Sequence, residues 1–194
     1  MAGGGLAVRR VRLSGVRLAL ALLVGVLVLA VLAVFASAAL DRPSKTVVNE
    51  VTVDASAATV WGILVDFDRY DDWNPVVTSI SGEPRLGAEL DVALQRPGAD
   101  VEELHPEMVI WRPKRKFRWM SRRFLPGISD REYEVIVERL DDGRVRVFQE
   151  MHLEGLLAPF ADVGSEQTAL DRIAAALTRR VAEREQADGD RAAG

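Results

Sequence analysis

Between Leu18 and Leu40 the chain runs for 23 residues without a charge, nearly all of them Leu, Val or Ala. Wound as a helix, this run is about 35 Å long, enough to cross the hydrocarbon core of a bilayer. After Pro43 the pattern shortens to period two. Val47, Asn49, Val51 and Val53 fall on one face of an extended segment, and Val48, Glu50, Thr52 and Asp54 on the other. That alternation predicts a half-buried strand over residues 46–54. Ser56 then stands where an N-cap belongs, ahead of an apolar stripe of Val60, Trp61, Leu64 and Val65. With Asn74-Pro75 closing the helical region, two short helices are expected. From Pro75 onward, turn signals recur at Gly82 to Gly87, Pro97-Gly98, Pro113, Pro126-Gly127 and Asp141-Asp142-Gly143. The intervals are strand-length and hold about six strands.

Apolar residues share one parity in each interval: Leu90, Val92 and Leu94; Phe117 and Trp119; Tyr133, Val135 and Val137; Val145, Val147, Met151 and Leu153. Near Thr168 the period becomes helical, with Leu170, Ile173, Ala174, Leu177 and Val181 on one side and Asp171, Arg172, Arg179 and Arg180 on the other. Strand, two helices, about six antiparallel strands and a long terminal helix describe an α+β domain in which a curved sheet of about seven strands wraps the final helix. The organisation predicted is a basic N-terminus over residues 1–17, a transmembrane helix over 18–40, a linker over 41–45, a globular domain over 46–187 and a frayed tail over 188–194.

Charge divides the chain in the same place. The net charge is −4, but residues 1–40 carry Arg9, Arg10, Arg12 and Arg17 with no acid, so the remainder stands at −8. Arginines on the N-terminal side of the apolar run place the N-terminus in the cytoplasm and the globular domain outside, on a single-pass anchor in the cell membrane. Ala36-Ser37-Ala38 also has the small-x-small form of a signal peptidase site. The uncharged run before it exceeds the roughly 7–15 residues of a secretory signal, which favours a retained anchor, and under either reading the domain is exported. The acidic domain excludes nucleic acid as an expected partner. Without cysteine, disulfides, thiolate nucleophiles and Cys-based metal sites are excluded as well.

The segment Asp66-Phe67-Asp68-Arg69-Tyr70-Asp71-Asp72-Trp73-Asn74-Pro75, with Val60-Trp61 upstream, resembles a fingerprint of the START and birch-pollen-allergen type superfamily (SRPBCC), especially its polyketide cyclase/dehydrase-like branch. The resemblance covers roughly residues 45–187 and includes Gly82, Gly87, Pro106, Trp119, Gly127, Gly143, Glu150, Gly155 and Pro159 in order. Arg144 departs from it, standing where relatives often have threonine after the turn glycine. The resemblance implies a helix-grip fold, and in many members an apolar cavity between sheet and terminal helix. Such a cavity needs hydrophobic walls and a few polar groups to orient a ligand. On the inward faces the polar exceptions are Asn49, Tyr133 and Gln149, which with Trp119 and Met151 are the candidate ligand contacts.

Other chemistry is sparse. His152 shares strand parity with Arg146, Glu150 and Glu154 on the charged face, and His105 precedes Pro106 at a strand entrance. Neither reads as catalytic, and the sequence has no HExxH, GxSxG or phosphate-cradling loop. No metal or other cofactor is expected. Asp66, Asp68, Asp71 and Asp72 lack the spacing of a calcium loop and fit helix termination better. Residues 112–123 hold seven cations and no acid, and Arg112, Lys114, Arg115 and Lys116 are candidates for contact with anionic headgroups. The leading expectation is a monomer that binds or transports a hydrophobic small molecule or lipid at the membrane surface. A cyclase/aromatase-type enzyme is the alternative implied by the resemblance, although no acid–base pair is evident. A third reading is an interaction module with a vestigial cavity.

Overall fold

The computed structural model describes residues 8–40, 42–96 and 98–193. The first seven residues of the basic N-terminus, Asp41 of the linker, Pro97 of one predicted turn and Gly194 lie outside the described residues, as do the side chains of Arg9, Arg10 and Arg12. The chain divides into two compact units, Met1–Arg42 and Pro43–Gly194. Among the described residues the first holds one helix, α1 (Val8–Leu40). Its Arg17–Val34 stretch is long and apolar enough to cross a membrane, and none of it is buried.

The second unit opens with β1 (Ser44–Val53), α2 (Ala57–Val65) and a 3₁₀ turn at Phe67–Arg69. Ser56 caps α2, its Oγ accepting from the Thr59 N–H at 3.0 Å. The acidic aromatic segment is folded inward by Tyr70, whose buried hydroxyl donates to the Leu64 carbonyl at 2.8 Å. Asn74 then accepts from the N–H groups of Val76 and Val77 at 3.0 and 2.8 Å, launching β2 (Val77–Ser81). There follow β3 (Asp91–Gln95), β4 (Val101–Leu104), β5 (Glu107–Arg112), β6 (Lys116–Arg123), β7 (Ser129–Arg139), β8 (Val145–Glu154), a 3₁₀ turn at Ala158–Phe160 and α3 (Val163–Ala193).

The strands are antiparallel and number eight among the described residues, one more than the sequence pattern indicates. Five pair in the order β1-β8-β7-β6-β5 and three in the order β2-β3-β4. The extra division falls at His105-Pro106, because proline has no N–H to continue the ladder. Bonds from Met108 N–H to the Ala88 carbonyl and from Gly87 N–H to the Met108 carbonyl, both 2.8 Å, stitch the two sheets together. The curved surface so made grips α3 through buried Leu170, Leu177 and Val181, the helix-grip arrangement. Helix α3 also runs past residue 187, where the sequence predicts a tail. The apolar stripe ends at Val181, but Arg184 and Arg191 reach Asp188 at helical spacings and continue the helix by charge.

Candidate functional site

Strand register builds the site. Met108, Trp119, Tyr133, Met151 and Val47 are successive cross-strand partners from β5 to β1, so they form one row across the whole five-stranded sheet. Trp119 and Tyr133 lie ring to ring at 5.1 Å. Against this row a cavity opens, walled by Trp119, Tyr133 and Met151, by Val76, Val92, Leu94 and Leu104 on the side of the three-stranded sheet, and by Ala169, Leu170 and Ile173 of α3. It leaves about 40 Å³ for the centres of water-sized molecules. That is room for about three waters, far below the roughly 300 Å³ or more of a typical ligand site.

Three of the five candidate contacts therefore line the cavity, while Asn49 and Gln149 do not. Those two belong to the next row, Phe117–Val135–Gln149–Asn49, which is filled by core packing. Gln149 is fully buried behind Tyr133 and accepts its hydroxyl proton at 2.6 Å, leaving the amide Nε2 with no partner. Burial pushes the Tyr133 hydroxyl well above its ordinary pKa, so it is a neutral donor. Asn49 donates to Asp171 of α3 at 2.7 Å, at the seam between helix and sheet.

The row on the other side supplies what sequence parity overlooked. Ser121 pairs with Arg131, and both reach the cavity together with Arg96 and Glu166. Glu166, in the first turn of α3, takes Arg96 at 3.0 Å and Arg131 at 3.8 Å; Arg96 also holds Glu102 at 2.6 Å. Burial alone would lower the Arg96 pKa, but Glu166 and Glu102 outweigh it and raise it. Burial likewise opposes the charge on Glu102, yet Arg96 and Arg131 hold its pKa below the ordinary value. All four lining residues were legible as continuations of apolar faces by one step: Arg96 after Leu94, Ser121 after Trp119, Arg131 before Tyr133, and Glu166 one turn before Leu170. The cavity thus has an apolar interior and an ionic end.

The basic stretch does not form one free surface. Its Arg112 to Lys116 portion makes the β5–β6 hairpin, where Lys116 pairs with Glu134 at 2.8 Å, and Arg118 takes Glu132 and Glu134 at 2.7 and 2.6 Å. That hairpin sits at the end of β6 opposite Arg123, about 20 Å along the sheet from the row in which the domain begins. His152 faces outward, bonded to Thr46 at 2.9 Å, and no cluster of metal-ligating side chains occurs among the described residues.

Solved structures share this architecture. A norcoclaurine synthase from Thalictrum flavum superposes with a TM-score of 0.57 at 16% identity, covering 75% of this chain and 98% of its own. A START superfamily protein from Mycobacterium smegmatis gives 0.57 at 19%, over 71% and 97%. The Zhui aromatase/cyclase from a Streptomyces species gives 0.56 at 19%, over 76% and 99%. At such identities the likeness is one of fold. No curated protein matches the sequence significantly. The family described as polyketide cyclase/dehydrase and lipid transport matches residues 44–185, which is most of the chain and all of the gripping sheet, and the chain therefore belongs to that family.

Proposed function

We propose that this protein is a single-pass membrane protein whose extracytoplasmic domain binds a hydrophobic small molecule or lipid between the sheet and α3. One observation carries the reading: the cleft has apolar walls with a few polar groups gathered at one end, the composition of a site that takes a greasy ligand in a fixed orientation. Trp119, Tyr133 and Met151 form its floor, while Gln149 acts from behind by holding the Tyr133 hydroxyl. The cavity as it stands is closed down, so uptake requires α3 and the β2–β4 layer to part. The Arg96–Glu166 pair crosses that seam and is the contact to be released, while Arg131–Glu166 ties α3 to the five-stranded sheet. The α1 anchor supplies proximity, since a tethered domain meets membrane-soluble molecules at high effective concentration.

The test is a lipophilic fluorescent probe titrated against the wild type and an Ala169→Leu variant, which fills the cavity from α3. Probe affinity should fall at least tenfold in the variant, and equal affinity in both proteins rules the cavity out as the binding site. The small volume favours one other reading, an interaction module with a vestigial cavity. On that reading the wild type takes up no probe, and Ala169→Leu raises stability as cavity filling does.

A further inference from the structure

The end of the domain at which β1 begins carries apolar side chains that the fold leaves in solvent. Phe124 and Leu125 are each 69% exposed and Phe160 is 84% exposed, with Leu157 beside them. They come from two loops, 124–128 and 155–161, that are bonded to one another. The Gly127 carbonyl accepts from Leu156 N–H at 3.0 Å and the Ile128 carbonyl from Leu157 N–H at 2.9 Å. Gly155 makes this approach possible, since a Cβ there would lie 2.7 Å from the Gly127 oxygen. The same block holds the start of the domain. Gly155 N–H donates to the Pro43 carbonyl at 3.0 Å, and the Lys45 ammonium donates to the carbonyls of Pro159 and Ala161 at 2.8 and 3.1 Å.

From these contacts we infer that loops 124–128 and 155–161 form a membrane-docking face, with Phe124, Leu125 and Phe160 inserted into the headgroup region of the bilayer that α1 spans. The inference rests on the anchoring part of the proposed function. Only Asp41 and Arg42 separate Leu40, the last of α1, from Pro43, and the three Cα–Cα steps between them reach about 11 Å at most. The loops bonded to Pro43 are thus held at the membrane surface, whereas the Arg112–Lys116 hairpin is at the far end of β6. Charge fits an anionic surface. Arg122 and Arg123 flank the patch, with the Arg123 guanidinium 5.7 Å from the centre of the Phe124 ring. Of the nearby acids, Asp130 accepts from Gly127 N–H, Asp162 caps α3 by accepting from the N–H groups of Gly164 and Ser165, and Glu102 lies 3.6 Å from the exposed Arg123 guanidinium. Aromatic rings beside arginines are the composition found at membrane–water interfaces. Phe124 also sits at φ 72°, a left-handed conformation that bulky residues seldom adopt, and here it turns the ring outward. Ser121 and Arg131, at the ionic end of the cavity, pair two positions before the Arg123–Ser129 pair that leads into loop 124–128.

A chain without native cysteine permits a direct test. Single-cysteine variants Leu27→Cys, Phe124→Cys, Phe160→Cys and Lys114→Cys of the full chain are labelled with an environment-sensitive fluorophore. They are reconstituted in phosphatidylcholine vesicles containing phosphatidylglycerol. Quenching by brominated lipids should be strong at 27, 124 and 160 and absent at 114, with iodide giving the reverse. If 27 is quenched by lipid while 124 and 160 behave like 114, the docking face is wrong and the anchor stands. If 27 is reached by iodide as readily as 114, the anchoring reading fails and the docking face with it. Probe uptake into the cavity is measured on the same samples, and its loss or retention bears on the binding reading alone.

Discussion

Tyr133 and Gln149 depend on one another because neither has another hydrogen-bond partner of its own in the core. Removing the hydroxyl in Tyr133→Phe leaves Gln149 with both amide atoms buried and unpaired, at a cost of about 1–3 kcal/mol. Replacing both residues, Tyr133→Phe with Gln149→Leu, removes every polar atom of the pair, and most of that loss should be recovered. Urea unfolding of the two singles and the double gives the coupling energy, and additive losses would show that the bond contributes nothing specific. Cavity uptake should respond to Gln149→Leu through the freed Tyr133 hydroxyl and be indifferent to His152→Ala on the outer face. At this scale the sequence was readable by parity: Trp119, Tyr133 and Met151 line the cavity because alternate residues share a face. Parity could not separate Gln149 and Asn49 from them, since all five share the inward face. What divides them is cross-strand register, a long-range property set by how β1, β8, β7 and β6 slide past one another.

Among elements, the ionic cluster fastens the start of α3 to two sheets at once. Glu166 is almost fully buried and engages Arg96 and Arg131. In Glu166→Gln both arginines lose that compensating charge. Because they are still partly solvated, the expected loss is about 1–3 kcal/mol, short of that for a fully buried ion pair. Hydrogen exchange should show the first turns of α3 opening first, and unchanged exchange there would mean that the cluster does not fasten the helix. The pH dependence has a definite sign. Glu102 has a folded pKa below its ordinary value, so its contribution is present above the ordinary carboxylate range and is lost as pH falls through the lowered folded value. The stability gap between wild type and Glu102→Gln should therefore be full at neutral pH and close below about pH 4. A gap constant down to pH 2 would assign the effect to shape rather than charge. The elements themselves followed from periodicity, with two differences of physical origin. Pro106 cut one expected strand into β4 and β5, and charge pairs carried α3 beyond the end of its apolar stripe.

For the whole molecule, the two units make separate predictions. The apolar faces of sheet and α3 complete one another within Pro43–Gly194, so that segment alone should melt cooperatively as a soluble monomer without added metal. Its failure to fold would mean that α1 contributes to the core. Cavity volume was beyond the sequence, because it depends on how closely Trp119, Tyr133 and Ile173 approach across the fold, not on which residues face inward. The proposed orientation in the membrane rests on charge alone. Four arginines precede the apolar run and no acid accompanies them, and the positive-inside rule predicts from this bias an N-terminus on the cytoplasmic side. An alkaline phosphatase fused after Gly194 should consequently be active in cells, while a fluorescent protein that matures only in the cytoplasm should stay dark at the same position. Reversing the bias, by changing Arg9, Arg10, Arg12 and Arg17 to Glu and placing lysines after Leu40, should invert both signals. If the fusions report the same orientation before and after that exchange, the arginines do not set the topology, and the extracytoplasmic placement loses its physical basis.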